Sequence, residues 1–202
     1  MLISDRTRLR GRRLEEVASQ AVDGGVHVVQ LREKDLSSHE LYELAITLHA
    51  VLRGRAQLLV NDRVDVALAS GAHGVHLPER SLPARAVREI AGDACIVGRS
   101  VHSVEAAVQA ERDGADFVEV GAVYETASKP GMAPAGVELV RAVADAVRLP
   151  IIAVGGVSAD NVGDVVRAGA DGVAVIGAIM DADDPKPAAE RLRRALDDAS
   201  LI

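Results

Sequence analysis

Arg32 and Lys34 stand two residues apart at the end of an apolar run, and on an extended chain that spacing turns both cations to one side. Two adjacent cations suit an anionic ligand, since the Arg fork and the Lys point charge both bind phosphate oxygens. A structural ion pair of Arg32 or Lys34 with Asp62 or Glu33 is the plain alternative. Two other apolar runs end in Gly155-Gly156 and in Ile176-Gly177. Without a Cβ, such residues let backbone N–H groups approach an anion, although tight turns use glycine for the same freedom. Between these two regions, Gln30, Asn61, Asp62, His76, Ser100, His102 and Thr126 close further runs. His76 and His102 suit proton transfer near neutral pH, or are hydrogen-bonded structural histidines. Lys129 lies in Lys129-Pro130-Gly131-Met132-Ala133-Pro134, which reads as a loop closing over substrate or as a solvated linker. His27, His39, His49 and His73 fall away from the run ends and read as structural.

The elements that must position these residues are short β-branched runs at 2–4, 27–32, 57–61, 74–78, 95–100, 117–122, 150–156 and 173–178. Their near-continuous apolar character predicts strands buried on both faces, as in a parallel sheet. Between them, segments 14–22, 38–52, 63–69, 83–90, 104–113, 137–148, 159–167 and 187–199 carry apolar residues at the helical period. Ser37 with Glu40 has the capping-box spacing, and Ser103 and Ser158 stand where N-caps belong. Gly24-Gly25-Val26-His27-Val28, Gly71-Ala72-His73-Gly74-Val75, Gly114-Ala115-Asp116-Phe117-Val118 and Gly169-Ala170-Asp171-Gly172-Val173 repeat one helix-to-strand turn four times. Eight βα units in 202 residues predict an α/β chain forming a single (β/α)8 TIM barrel, one domain over 1–202, in preference to an open doubly wound sheet. In that fold the strand ends and the loops after them carry the active site, and the last two strands hold phosphate.

Composition narrows the partners. The chain is 26% charged with a formal net charge of −7, no Trp and one Phe, so it lacks the basic field and stacking surface of a nucleic-acid binder. No apolar run approaches the roughly 18 residues of a membrane span, and the segment carrying Asp5, Arg6, Arg8 and Arg10 does not read as a signal peptide. A cytoplasmic protein acting on small molecules is expected, with a homo-oligomer left open. The single cysteine, Cys95, excludes an internal disulfide and a cysteine metal cluster.

Six blocks then resemble, in order and over nearly the whole chain, the family of thiamine phosphate synthase and its relative TenI, a thiazole tautomerase. They are Gln30-Leu31-Arg32-Glu33-Lys34, Asn61-Asp62-Arg63-Val64-Asp65-Val66-Ala67, Gly74-Val75-His76-Leu77, Gly98-Arg99-Ser100-Val101-His102-Ser103, Val120-Gly121-Ala122-Val123-Tyr124-Glu125-Thr126 and Ala153-Val154-Gly155-Gly156-Val157. The resemblance implies a (β/α)8 barrel acting on a thiazole phosphate. In a synthase, Gln30, Arg32, Lys34, Asn61, Ser100, Thr126 and Lys129 would surround a pyrimidine pyrophosphate, with Asp62 as one magnesium ligand. Such synthases read Gly-Gln-x-Asp after His-Leu, whereas this chain has Pro78-Glu79-Arg80-Ser81, which puts Ser81 at the second ligand's position and Arg80 beside it.

Pro78, the block Gly98 to Ser103, and Glu125-Thr126 look more like TenI. The expectation on this ground is therefore an isomerase, a thiazole tautomerase without a cofactor or metal, and slow or absent magnesium-dependent coupling. A transferase with magnesium, and a non-catalytic binder of thiazole or thiamine phosphate, are the alternatives. TenI-type tautomerases carry a histidine where this chain has Ala122. Glu119 shares a strand face with Gly121, so a proton shuttle between Glu119 and His76 or His102 is one replacement, and a buried ion pair is the other reading of Glu119.

Overall fold

The computed structural model describes residues 1–128, 131 and 133–200. Eight strands run parallel and pair in chain order: β1 (Leu2–Ile3), β2 (Val28–Leu31), β3 (Gln57–Asn61), β4 (Gly74–Leu77), β5 (Ile96–Val101), β6 (Phe117–Gly121), β7 (Ile151–Val154) and β8 (Gly172–Ala174). The sheet curls until β1 meets the chain just beyond β8. There the Ile3 N–H donates to the Val175 carbonyl at 2.9 Å and the Val175 N–H donates to Met1 at 3.0 Å. The predicted (β/α)8 barrel is therefore the fold.

Helices α1 (Leu14–Asp23), α2 (Ser38–Leu52), α3 (Val64–Ser70), α4 (Ala84–Ala91), α5 (Val104–Arg112), α6 (Gly136–Ala146), α7 (Val162–Arg167), α8 (Gly177–Met180) and α9 (Pro185–Ser200) alternate with the strands or follow the last one. In α2 the Ser37 and Glu40 side chains form the reciprocal capping box, and Leu41, Ala45, Leu48 and Leu52 are buried along one stripe. Each such leucine contributes roughly 1.5–3 kcal/mol relative to exposure. Ser103 caps α5 by accepting from the Ala106 N–H at 3.2 Å.

The repeated turn does more than reverse the chain. In three of its four copies the third residue accepts a backbone N–H from the preceding strand: Leu58 donates to His73 Nδ1 at 3.0 Å, Val97 to Asp116 Oδ2 at 2.7 Å and Ile151 to Asp171 Oδ2 at 2.8 Å. The short acceptor side chain thus satisfies a strand-entry amide that the neighbouring backbone does not reach. Inside the barrel, Gly98 is required by packing, because a Cβ there would lie 2.1 Å from the Phe117 ring. That ring fills the barrel axis 5.8 Å from the His76 ring.

Two boundaries depart from expectation by more than two residues. β8 ends at Ala174 rather than at 178, and the apolar residues that follow lead into the short helix α8. Ser158 does not cap α7: its N-cap is Asn161, while the Ser158 Oγ accepts from the Asp160 N–H in the preceding turn. Among the described residues no helix is long and apolar enough to cross a membrane.

Candidate active site

A cavity of about 1000 Å3 opens where the strands end, and it gathers nearly all of the residues singled out by type and spacing. Gln30, Arg32 and Lys34 come from β2 and its loop, Asn61 from β3, His76 from β4, Ser100 and His102 from β5 and its loop, and Glu119 from β6. Thr126 lines it from the loop before α6, and Gly155, Gly156, Ile176 and Gly177 line it from the ends of β7 and β8. One described residue falls elsewhere. Asp62 is not part of the lining, and its Oδ1 accepts the Ser81 hydroxyl instead. Lys129 lies outside the described residues.

The floor is a buried polar group. His76, 1% exposed, places Nε2 2.7 Å from Ser100 Oγ and 3.8 Å from Glu119 Oε1. Gln30 Nε2 donates to Glu119 Oε2 at 3.4 Å. Burial lowers the His76 pKa from its ordinary 6.5, against the opposing pull of the Glu119 carboxylate, so the ring is neutral at pH 7. A proton on Nε2 then faces Ser100 and Glu119, and Nδ1 has no hydrogen-bond partner among the described residues. This brings together the pair expected from alternation on β6. His102 stands apart, with Nδ1 3.1 Å from Glu79 Oε2 on the rim.

One wall is cationic. Arg32, Lys34 and Arg80 line it, and the two carboxylates that would offer Arg32 a structural ion pair have other partners. Glu33 is buried, accepts the Ser4 hydroxyl at 2.5 Å and faces Arg6 Nε at 3.3 Å. Burial raises its pKa, against the lowering by Ser4 and Arg6. Asp62 is held by Ser81.

The opposite wall is glycine-rich, for a reason different from the one the sequence suggests. A Cβ on Gly155 would lie 2.6 Å from Ala122 Cβ, and one on Gly156 would lie 2.5 Å from the Glu125 carbonyl oxygen. These glycines, both at positive φ, admit the loop after β6 against the end of β7 rather than clearing space for a ligand. Their backbone still suits an anion. Among the described residues, the N–H groups of Gly155, Gly156, Gly177 and Ala178 donate to no carbonyl or side chain outside regular elements, and all four residues line the cavity.

Arg8 and Asp181 also line the glycine wall and escape the strand-end reading. Arg8 Nη1 donates to Asp181 Oδ2 at 2.6 Å, and Arg8 Nε donates to Asp5 Oδ2 at 3.1 Å. Applying the strand-end rule to β1 as well as to β2 through β8 would have found Arg8, since barrel closure puts β1 beside β8.

Among the described residues no three His, Cys, Asp or Glu side chains cluster as a metal site. Asp62 and Ser81 do stand in contact, where the family pattern has its two magnesium ligands, and offer one anionic and one neutral oxygen. Magnesium is commonly held by one or two carboxylates together with substrate phosphates and water, and this reduced donor set, outside the lining but next in the chain to the lining residues Asn61 and Arg80, has the chemistry for an ion shared with a pyrophosphate.

A barrel with a polar floor, a cationic wall and N–H groups at the ends of β7 and β8 that have no partner among the described residues defines the phosphate-binding class of (β/α)8 proteins. The chain belongs to the thiamine monophosphate synthase family, whose model matches residues 1–179, and this places it in thiamine biosynthesis. It is 44% identical over 204 residues to the thiamine-phosphate synthase of Haloquadratum walsbyi, covering 99% of this chain and 92% of that protein. It is 46% identical to the corresponding protein of Natronomonas pharaonis, with 97% and 94% covered. Among solved structures, the thiamine phosphate pyrophosphorylase from Pyrococcus furiosus matches with a TM-score of 0.89 at 38% identity, over 98% of this chain and 95% of that one. A 3-hexulose-6-phosphate synthase, 20% identical with a TM-score of 0.71 over 96% of this chain and 98% of that one, shares the fold alone. These relatives overturn the expectation of an isomerase: those at 42–46% identity carry the name of a synthase, which is a transferase. Of the TenI-like features, Pro78 and Glu125-Thr126 lie in loops, where sequence varies most freely within a fold, whereas Gly98 to Val101 belong to β5.

Proposed function

We propose that the chain is a thiamine-phosphate synthase, joining a pyrimidine that carries pyrophosphate to a thiazole phosphate with release of pyrophosphate. The observation that carries this reading is the two-ended charge of one cavity. Arg32, Lys34 and Arg80 stand on the wall formed by β2 to β4, and the N–H groups of Gly155, Gly156, Gly177 and Ala178, without a partner among the described residues, stand on the other. Two phosphorylated substrates, one at each end, would bring their rings together over the floor of Gln30, His76, Ser100 and Glu119. The volume, about 1000 Å3, lies at the upper end for small-molecule sites and accommodates two such ligands.

The reaction breaks a carbon–oxygen bond to pyrophosphate as the pyrimidine is joined to the thiazole. Arg32, Lys34 and Arg80 would offset negative charge on the departing pyrophosphate. Magnesium, when bound through Asp62 and Ser81, would supply further neutralisation of that pyrophosphate. Carbon loses electron density as the leaving group departs, and the buried Glu119 carboxylate beside His76 favours that positive charge. Asn61 at the end of β3 and Thr126 in the loop before α6 both line the cavity, where they would orient the pyrimidine pyrophosphate. His102 is assigned to binding at the rim, and Lys129, through the family motif alone, to binding the pyrimidine pyrophosphate.

Purified protein supplied with both substrates and magnesium should release pyrophosphate and form thiamine phosphate in equal amounts. Binding of both substrates without product would overturn the reading in favour of a binder.

A further inference from the structure

Beyond β1 the chain passes Ser4 and Asp5 and makes one 3-10 turn, Arg6–Arg8, capped by Asp5 through the Thr7 N–H at 3.1 Å. That turn is strapped across the segment after β8. Arg12 donates from Nη1 to the Ala182 carbonyl at 2.6 Å and from Nη2 to the Met180 carbonyl at 2.5 Å, and Arg8 reaches Asp181. The strap fixes where the Arg8 guanidinium lies. A Cβ built on Gly177 would be 3.6 Å from Arg8 Nη1 and 2.7 Å from Asp181 Oδ2. Guanidinium and carboxylate therefore both border Gly177, on the wall whose N–H groups have no partner among the described residues.

We propose that Asp181 occupies, in the free protein, the anion position that a substrate phosphate takes on Arg8, so that Arg8 is a phosphate-recognising residue and Asp181 its internal competitor. This rests on the reading of the glycine wall as the thiazole-phosphate subsite. Three observations support it. Arg8 is largely covered, with 23% of its side chain exposed, and it faces the cavity rather than bulk solvent. Its fork has one partner outside the ligand space, Asp5, which would keep it oriented when the other carboxylate leaves. Asp181, with 39% of its side chain exposed, has room to turn outward. A phosphate offers more acceptor oxygens and more charge than a carboxylate and would also reach the glycine N–H groups, which Asp181 does not.

A carboxylate left in place would repel a phosphate, so the two residues must act in opposite directions. That opposition separates the proposal from a merely structural ion pair, whose loss from either side has the same sign. Inorganic phosphate is the probe, titrated by calorimetry into the full-length protein and its variants, with thermal melting as a check on folding. Arg8→Gln should weaken phosphate binding about tenfold, the scale of one lost charge-assisted contact, and Arg8→Lys should weaken it less. Asp181→Asn, which keeps a hydrogen-bond acceptor for Arg8, should tighten binding several-fold. Unchanged affinity in Arg8→Gln, or equal weakening in Arg8→Gln and Asp181→Asn, would overturn the proposal. In steady-state coupling, Arg8→Gln should raise KM for thiazole phosphate and leave KM for the pyrimidine pyrophosphate unchanged. Phosphate binding that follows this pattern in a protein unable to couple the two substrates would sink the synthase reading and leave the Arg8 site standing.

Discussion

His76 on β4 and Ser100 on β5 meet across the cavity floor, Nε2 to Oγ at 2.7 Å, with Glu119 Oε1 on β6 3.8 Å from the same Nε2. Three adjacent strands thus deliver one continuous polar group to a place where barrels usually pack Val, Ile and Leu. A buried carboxylate there favours positive charge on the reacting carbon. Glu119→Gln, which retains an acceptor for Gln30, should lower kcat by roughly tenfold to a hundredfold with little change in KM. Turnover equal to that of the parent would assign Glu119 to support of His76 alone.

Ser81 and Asp62 lead to the second prediction. Ser81→Asp replaces a neutral oxygen by an anionic one beside Asp62 and should lower the magnesium concentration needed for half-maximal coupling by roughly tenfold, about 1.4 kcal/mol. A magnesium titration of initial rates in parent and variant is the measurement. An unaltered midpoint would place the ion away from this pair.

Gly156 yields a stability prediction. Its φ of +66° and the 2.5 Å approach of a Cβ to the Glu125 carbonyl oppose any side chain. Gly156→Ala should cost about 1–3 kcal/mol in denaturant unfolding. Gly177→Ala meets only the movable end of Asp181 at 2.7 Å and should cost less. Equal costs would mean that the loop after β6 yields more readily than backbone usually does.

His73 makes stability depend on pH. Its Nδ1 accepts the Leu58 N–H, and burial, reinforced by the nearby His49, lowers its pKa below the ordinary 6.5. Between the folded value and 6.5 the unfolded chain binds more protons, so this contribution is complete above that window and is lost as pH falls through it. His73→Asp installs the residue type that Asp116 and Asp171 supply at the equivalent turns. The loss of Tm between about pH 7.5 and about pH 5 should therefore be smaller in the variant. Parallel Tm curves would show that other groups dominate the acid response.

The barrel was legible because its strands are buried on both faces and its turns repeat. β3 and α2 match their expected bounds residue for residue. The end of β8 was not legible, since Ala174-Val175-Ile176-Gly177-Ala178 is apolar throughout and a short apolar run serves strand and helix equally well. Most of the site could be read from polar residues at strand ends. Arg8 and Asp181 could not be paired that way, because 173 positions separate them and only closure makes them neighbours. The choice between isomerase and transferase rested on Pro78, the block Gly98 to Ser103 on β5 and its loop, and Glu125-Thr126, which share a barrel with either chemistry and do not decide the bond being broken.

The seam between β1 and Val175 also sets an order of assembly. β2 to β7 can pair one after another as the chain is synthesised, each joined to its predecessor through one helix. The two-residue β1 has a partner on one side early, but its other side waits until Val175 exists. Closure then spans most of the chain, the kind of non-local contact that slows folding. Until it occurs, the growing sheet presents two unpaired apolar edges, so the interval before closure is when association with other chains threatens this protein most.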